Sequence, residues 1–266
     1  MLLYTGQMSS LTTALRIVSS LGRERTLLRV SEVARELNLP KSTVSRLLNE
    51  LVRADFIEHA SGERGFRAGP ELFRLGSLYR DGVPAEDQID AVCLDLVKRH
   101  PATAYVGVLQ GIDLVILRCH QGSYPLRFIL EPGSKVPAYA TAVGKALLAR
   151  LDKQELAALL PKRLVYESRD VDTTREAMLG ELQEARQRGY ARLDDRVVGV
   201  GAIGVAVRIS PGRTTGFAVC YAREAVAPLE QADIAAALTA AAAEIGELWG
   251  DPYWNERDRS SLGEGQ

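Results

Sequence analysis

Hydrophobic positions in the first part of the chain repeat with the period of an α-helix. Val44, Leu47, Leu48 and Leu51 are spaced i, i+3, i+4 and i+7, which places them on one face of a helix. The opposite face and the first turn carry short hydroxyls, one amide and cations, namely Lys41, Ser42, Thr43, Ser45, Arg46, Asn49 and Arg53. Arginine can grip guanine with two donors, an amide can pair with adenine, and small hydroxyls let a helix approach phosphates. The pattern therefore predicts a helix that enters the major groove of double-stranded DNA.

The segments around this helix complete a winged helix-turn-helix. Apolar residues with the same period predict a helix over 30–37, with Ser31 as a candidate N-cap and 38–40 as the turn. An earlier amphipathic helix begins near Leu11. Residues 56–59 and 65–68 flank a short turn and predict a β-hairpin, the wing, whose cations are Arg64 and Arg67. Three amphipathic helices also occur in any small helical core, but the polar outward face and the wing favour DNA binding.

The rest of the chain mixes strand and helix patterns. Strands are predicted over 104–109, 113–119, 126–130, 200–209 and 215–221, and helices over 71–81, 86–99, 141–151, 153–160, 174–188 and 229–249. Asp172 or Thr173 is the candidate cap of the helix that begins at 174. The order predicts an α+β architecture in which helices pack on an antiparallel sheet. Residues 251–266 are polar and aperiodic, which predicts a disordered tail.

These patterns divide the chain into four parts. Residues 1–70 form the predicted winged helix-turn-helix DNA-binding domain, and 71–83 form a linker helix that ends at a Gly-Val-Pro boundary. Residues 84–250 form the second domain, and the tail follows it.

Charge is distributed unevenly between the N-terminal part and the rest of the chain. The net charge is −1, yet residues 1–80 hold 12 Lys and Arg against 8 Asp and Glu, while 81–266 hold 21 against 26. Only the N-terminal part attracts a polyanion, and its modest excess indicates that a dimer is needed to double the attraction. The three cysteines show no C-x-x-C spacing, so neither a disulfide framework nor a zinc cluster is expected. Without a long apolar run or an export leader, we expect a cytoplasmic protein that contacts no membrane.

Enzyme chemistry finds little support in the sequence. Residues 199–204 match G-x-G-x-x-G, but a strand pattern follows them where a dinucleotide site needs a helix, so the glycines indicate close backbone approach in a sheet. Cys119 and His120 are adjacent, and in a strand they point to opposite faces. No catalytic residue, cofactor or metal is therefore predicted. The alternative that stays open is an enzyme or ligand-binding module with a vestigial helix-turn-helix.

Two stretches give the chain a resemblance to the IclR family of bacterial transcriptional regulators. Residues 39–48 (LPKSTVSRLL) look like the recognition helix of that family, and residues 139–146 (YATAVGKA) are similar to its H-A-T-A-x-G-K-A signature. The resemblance implies a C-terminal GAF-like effector-binding domain that follows the linker helix, and assembly as a homodimer or a dimer of dimers. It also implies an effector pocket formed by Ala142, Val143, Asp194, Ala202, Ala218 and Cys220.

The chain departs from the family pattern at several of these positions. Tyr139 stands where His is usual, and Ala218 and Cys220 stand where hydroxyl residues often occur. The departures predict a less polar effector than the small acids that some members bind. The expected function is that of a sequence-specific regulator, a repressor of a neighbouring catabolic operon, whose operator affinity a small-molecule effector controls.

Overall fold

A computed structural model describes residues 9–22, 25–80, 84–123, 130–165, 173–193 and 199–263 of the chain. The chain divides into two compact units, Met1–Gly82 and Val83–Gln266. The N-terminal unit has one hydrophobic core and the C-terminal unit has two. In the described part of the chain, no helix is both long enough and apolar enough to cross a membrane.

The N-terminal unit is the predicted winged helix-turn-helix. Its elements are α1 Ser10–Ser19, α2 Val30–Leu37, α3 Lys41–Arg53, β1 Ile57–His59, β2 Phe66–Ala68 and α4 Pro70–Arg80. Strands β1 and β2 pair antiparallel to form the wing. The core contains Ile17, Val33, Val44, Leu48 and Ile57, so the apolar face of α3 is turned inward as its period predicts.

The turn between α2 and α3 follows from its sequence, whereas the start of α2 does not. Asn38 adopts the left-handed conformation, with φ of 52°, and ends α2. The predicted cap Ser31 is wrong, because it lies inside the helix and the N-cap residue is Arg29. The physical reason is tertiary: Leu28 exchanges two backbone hydrogen bonds with Phe66 of the wing, which extends the chain just before α2 and sets where the helix begins.

The C-terminal unit is built on a six-stranded antiparallel sheet. Its strands are β3 Ala102–Gln110, β4 Asp113–His120, β5 Lys135–Pro137, β8 Ala191–Leu193, β9 Val200–Ser210 and β10 Arg213–Ala222, in the order β5-β4-β3-β10-β9-β8. A separate two-stranded pair joins β6 Arg163–Leu164 to β7 Thr173–Thr174. The antiparallel sheet predicted for this unit is confirmed.

Helices cover both faces of the sheet. They are α5 Pro84–Arg99, α6 Ala142–Leu148, α7 Lys153–Leu159, α8 Arg175–Arg188, α9 Pro228–Trp249 and α10 Pro252–Gly263, and a short 3-10 helix, Ala138–Ala140, precedes α6. Side chains of α6, α7 and α8 share one core with one face of the sheet. Side chains of α5, α9 and α10 share a second core with the other face. The sheet is therefore covered by helices on both faces.

The C-terminal unit differs from the sequence predictions at one helix cap and at two short strands, and one predicted strand cannot be compared with the structure. Thr174, not Asp172 or Thr173, caps α8 and accepts a hydrogen bond from the amide of Ala177 at 3.2 Å, because Thr173 is already part of β7. The predicted strand 126–130 falls almost entirely outside the described residues. Strands β5 and β8 were not predicted, since three residues are too few to show an alternating pattern.

The prediction of a disordered tail over 251–266 is also wrong as far as Gly263, because helix α10 follows α9. Trp254 is only 3% exposed, and its indole donates a hydrogen bond to the carbonyl of Ala206 at 3.0 Å. Asp251 is fully buried and accepts from the backbone amide of Arg208 at 2.8 Å. Among the described residues, β8 pairs with β9 over 202–204, so the next part of the β9 edge needs other partners. The C-terminal segment supplies them.

Candidate functional sites

The outward face of α3 carries the residues predicted to contact DNA. Lys41, Ser42, Arg46, Asn49 and Arg53 are exposed, and Thr43 and Ser45 are half-buried. Val44, Leu47 and Leu48 are buried in the core of the unit, and their burial fixes which side of the helix faces outward. All seven predicted positions therefore lie on one accessible helix, as a recognition helix requires.

Exposed arginines of the helix and wing differ in whether they have an acidic partner. Arg53 contacts Glu50 at 3.2 Å, and Arg67 contacts Glu58 at 2.6 Å across the wing strands. Arg46 and Arg64 are exposed, and no ion pair joins either of them to another described residue. Exposed pairs of this kind contribute little, about 0–1 kcal/mol, so phosphate can compete for all four guanidinium groups.

A cavity opens between the sheet and the start of α6. Its volume is about 80 Å³, several times the roughly 10–15 Å³ that one water molecule needs. The residues that line it are Tyr105, Leu114, Ile116, Leu130, Ala140, Thr141, Ala142, Val143, Leu193, Val200 and Cys220. Sequence reasoning missed most of this wall, because its members come from strands and loops far apart in the chain.

Three of the six predicted effector contacts line the cavity. Ala142 and Val143 come from α6, and Cys220 comes from β10. Ala202 and Ala218 are buried in the same core, where Ala202 pairs in register with Cys220, but they do not reach the cavity surface. Asp194 lies outside the described residues.

Alternation along β10 decides which side chains face the cavity. Ala218 and Cys220 belong to the core on the α6 side, whereas Phe217, Val219 and Tyr221 belong to the core on the α9 side. This is the arrangement that the two-residue period of a strand predicts.

The glycine-rich run 199–204 leads from a turn at Gly199 into strand β9. Gly204 lies in the continuous strand β9, and a Cβ atom there would come within 2.8 Å of the carbonyl group of Ala142. The prediction of close backbone approach is therefore confirmed at Gly204, where α6 packs directly on the strand. The strand continues where a dinucleotide site would need a helix N-terminus.

The family signature around α6 has a structural explanation. Thr141 caps the helix by accepting from the amide of Gly144 at 2.9 Å. A Cβ atom at Gly144 would come within 2.1 Å of the carbonyl oxygen of Ala138, so only glycine fits. Lys145 is 4% exposed, and its ammonium group contacts Glu181 of α8 at 2.6 Å. These three residues hold the helix that closes the cavity.

The polar groups beside the cavity are uncharged at neutral pH. Burial raises the pKa of the Cys220 thiol to about 12 and also raises the pKa values of Cys119 and Tyr105. His120, next in the chain to Cys119, instead contacts Asp90 of α5 at 2.9 Å on the opposite face of the sheet. Among the described residues, His, Cys, Asp and Glu form no group of three that could hold a metal ion.

Comparisons with known proteins agree with this arrangement. The model of the bacterial transcriptional regulator IclR C-terminal domain matches residues 87–247, and the IclR helix-turn-helix model matches residues 10–61. The chain belongs to the IclR family of bacterial transcriptional regulators. This family consists of regulators, not enzymes, so the enzyme alternative is set aside.

Individual relatives support the assignment over most of the chain. The "Probable transcriptional regulator SauR" of Cupriavidus necator is 32% identical over 209 residues, which is 77% of this chain and 81% of that protein. A crystal structure of an IclR-type regulator from Silicibacter sp. TM1040 has a TM-score of 0.81 and 26% identity, covering 92% of this chain and 99% of that one. An IclR homolog from Microbacterium hydrocarbonoxydans, crystallised with 4-hydroxybenzoate, shares the fold, with a TM-score of 0.72 and 20% identity, covering 90% of this chain and 98% of that one.

Proposed function

We propose that this IclR-family protein is a sequence-specific DNA-binding regulator whose operator affinity is controlled by a small molecule in the C-terminal cavity. The observation that carries the proposal is the exposed polar and cationic face of α3, which presents Arg46 and Asn49 side by side with short hydroxyls. Those are the side chains that read base edges and approach phosphates in the major groove. The wing adds Arg64 and Arg67 for the phosphate backbone.

Exposed apolar side chains in the N-terminal unit support assembly as a homodimer or a dimer of dimers. Leu11 and Leu15 of α1 are 69% and 57% exposed, and Phe73 and Leu78 of α4 are 77% and 61% exposed. Self-association would remove this apolar surface from water. The two recognition helices of a dimer would then contact two related half-sites.

The cavity supports control by an effector. A ligand that binds one arrangement of the dimer more tightly than another shifts the equilibrium between them, and a difference of about 1–3 kcal/mol changes operator affinity several-fold to over a hundredfold. Within this proposal the protein acts in the cytoplasm as a repressor of a neighbouring catabolic operon.

A gel-shift assay with the DNA next to the gene tests the proposal. The wild-type protein should shift this fragment at concentrations that leave a random fragment of the same length unbound. The control variant Arg99→Ala, which removes an exposed arginine of α5 paired to Asp95 at 2.6 Å, should bind like wild type. Equal affinity of the wild type for both fragments would contradict the proposal.

A further inference from the structure

The wall of the C-terminal cavity is mainly apolar. Leu114, Ile116, Leu130, Val143, Leu193 and Val200 contribute aliphatic side chains to it. The lining residues that the structure describes carry no formal charge. Burial of an ionised ligand group against such a wall is costly unless a donor or a cation meets it.

Polar groups at the cavity differ in whether they are free to meet a ligand. The hydroxyl of Thr141 already accepts from the amide of Gly144 at 2.9 Å and donates to the carbonyl of Ala138 at 3.3 Å. The hydroxyl of Tyr105 accepts from the amide of Leu130 at 3.3 Å and lies beside the thiol of Cys119. Sulfur is a weak acceptor, so a ligand oxygen can replace it as the acceptor of the tyrosine proton.

The position of Tyr105 suits it to a role in specificity. It lies on the central strand β3, where it pairs in register with Cys119 on one side and with Ala218 on the other. It is only 2% exposed, so its ring is fixed by packing, and its hydroxyl is hydrogen-bonded to Leu130, which lines the cavity together with it. A buried hydroxyl held in this way favours ligands that can accept its hydrogen bond.

We infer that the effector is an uncharged, mainly apolar small molecule with one hydrogen-bond acceptor, and that Tyr105 is a specificity-determining residue that recognises this acceptor. The inference rests on the proposed function, because it names the chemistry of the effector that the function requires. A ring compound with one hydroxyl group has the expected character: the ring meets the aliphatic wall and the hydroxyl oxygen meets Tyr105.

Matched pairs of small probes test the charge part of the inference by calorimetry on the full-length protein at pH 7. p-Cresol and 4-hydroxybenzoate differ only in a methyl group against a carboxylate, and toluene and benzoate form a second pair. We expect the uncharged member of each pair to bind at least about tenfold more tightly. Tighter binding of the carboxylates, or no binding of any probe up to millimolar concentration, would overturn the inference.

Variants locate the binding and test the role of Tyr105. Wild-type protein should bind p-cresol about tenfold more tightly than toluene, and Tyr105→Phe should reduce this ratio to near one while toluene still binds. The control Tyr221→Phe, on the opposite face of the same sheet, should keep the wild-type ratio. An unchanged ratio in Tyr105→Phe would remove the specificity role.

Filling the cavity with Cys220→Phe should abolish p-cresol binding. Val143 is less suitable for this purpose, because it packs against the backbone at Gly216. Thermal unfolding of each variant shows whether it is folded. If Cys220→Phe is folded and still binds p-cresol, the binding is elsewhere and the inference fails.

Gel shifts with the same proteins separate this inference from the proposed function. If the wild-type protein discriminates between p-cresol and 4-hydroxybenzoate but does not bind the operator, the proposed regulatory function is contradicted. The inferred chemistry of the cavity is then unaffected. Normal operator binding without any discrimination between the probes would contradict only the inference.

Discussion

At the scale of single residues, the two candidate sites differ in how directly the sequence predicts them. Arg46 is exposed on α3 because its neighbours Val44 and Leu47 are buried, so one helical period determines where its side chain lies. Cys220 faces the cavity for the same kind of reason on a strand. Tyr105 had no signal of its own, because its role depends on Leu130 and Cys119, which reach it only in the folded sheet.

Replacement of Arg46 by alanine should weaken operator binding by about 1–3 kcal/mol and relax the preference at one base position, because a bidentate contact to a base would be lost. Competition gel shifts with operator and random DNA measure this. A matched control is Arg99→Ala in the C-terminal unit, which should leave both affinities unchanged. A similar loss on operator and on random DNA would instead identify Arg46 as a phosphate contact.

At the scale of elements, the wing and the last helix show two kinds of dependence on neighbours. The wing is a local hairpin, and its turn residues and strand pattern predict it directly. The sequence of α10 has no amphipathic pattern that predicts a helix. In the structure, however, Trp254 is buried and Asp251 accepts a hydrogen bond from the backbone of β9. The contacts with the sheet therefore determine that this segment is ordered.

The double change Arg64→Ala and Arg67→Ala should lower DNA affinity without changing the preferred site, because phosphate contacts carry no base information. The slope of log affinity against log salt should flatten by roughly 0.9 for each lost contact in each half-site. Fluorescence anisotropy titrations over a range of salt measure the slope. A slope equal to that of the wild type would show that the wing faces away from DNA.

Replacement of Asp251 by alanine should lower the free energy of unfolding by about 3 kcal/mol, because it leaves Arg150 without its buried carboxylate partner. Asp251 is fully buried, contacts Arg150 at 2.5 Å and also accepts from the amide of Arg208. Chemical denaturation measures the loss. Asp233→Ala, at an exposed position of α9, is the control and should change stability by less than about 0.5 kcal/mol. Equal stability of the two variants would show that the buried contacts of Asp251 contribute little to the fold.

At the scale of the whole molecule, the proposed function requires two copies to pair their recognition helices and the cavity to influence that pairing. The excess of positive charge lies in residues 1–80, which contain 12 basic and 8 acidic residues. A single copy therefore attracts DNA only modestly, and two copies double the attraction. The exposed apolar side chains of α1 and α4 are where we expect copies to meet.

The double change Phe73→Ser and Leu78→Ser should weaken self-association and, with it, operator binding, because it removes exposed apolar side chains that pairing would bury. Sedimentation velocity should show a shift toward smaller species at micromolar concentration. Thermal unfolding should change little, since neither side chain belongs to the core. Leu229→Ser, at a position 81% exposed in the other unit, is the control. Retention of the wild-type sedimentation profile would contradict the role of α4 in assembly.

The sequence alone determined the features that depend on neighbours within a few turns. The periods of α3 and β10 decided which side chains are outward and which face the cavity, and the turn residue Asn38 decided where α2 ends. The order of patterns predicted an antiparallel sheet with helices, and two motifs indicated the family. Local sterics and the burial of apolar faces decide the periods, the turn and the order of elements, and both can be read along the chain.

Only the tertiary structure decided the features that join distant segments. The start of α2 depends on Leu28 pairing with the wing, and the order of α10 depends on the open edge of β9. The cavity wall gathers side chains between Tyr105 and Cys220, more than a hundred residues apart, which no short period can reveal. These features arise because unpaired backbone groups and apolar surfaces must find partners wherever the fold brings them.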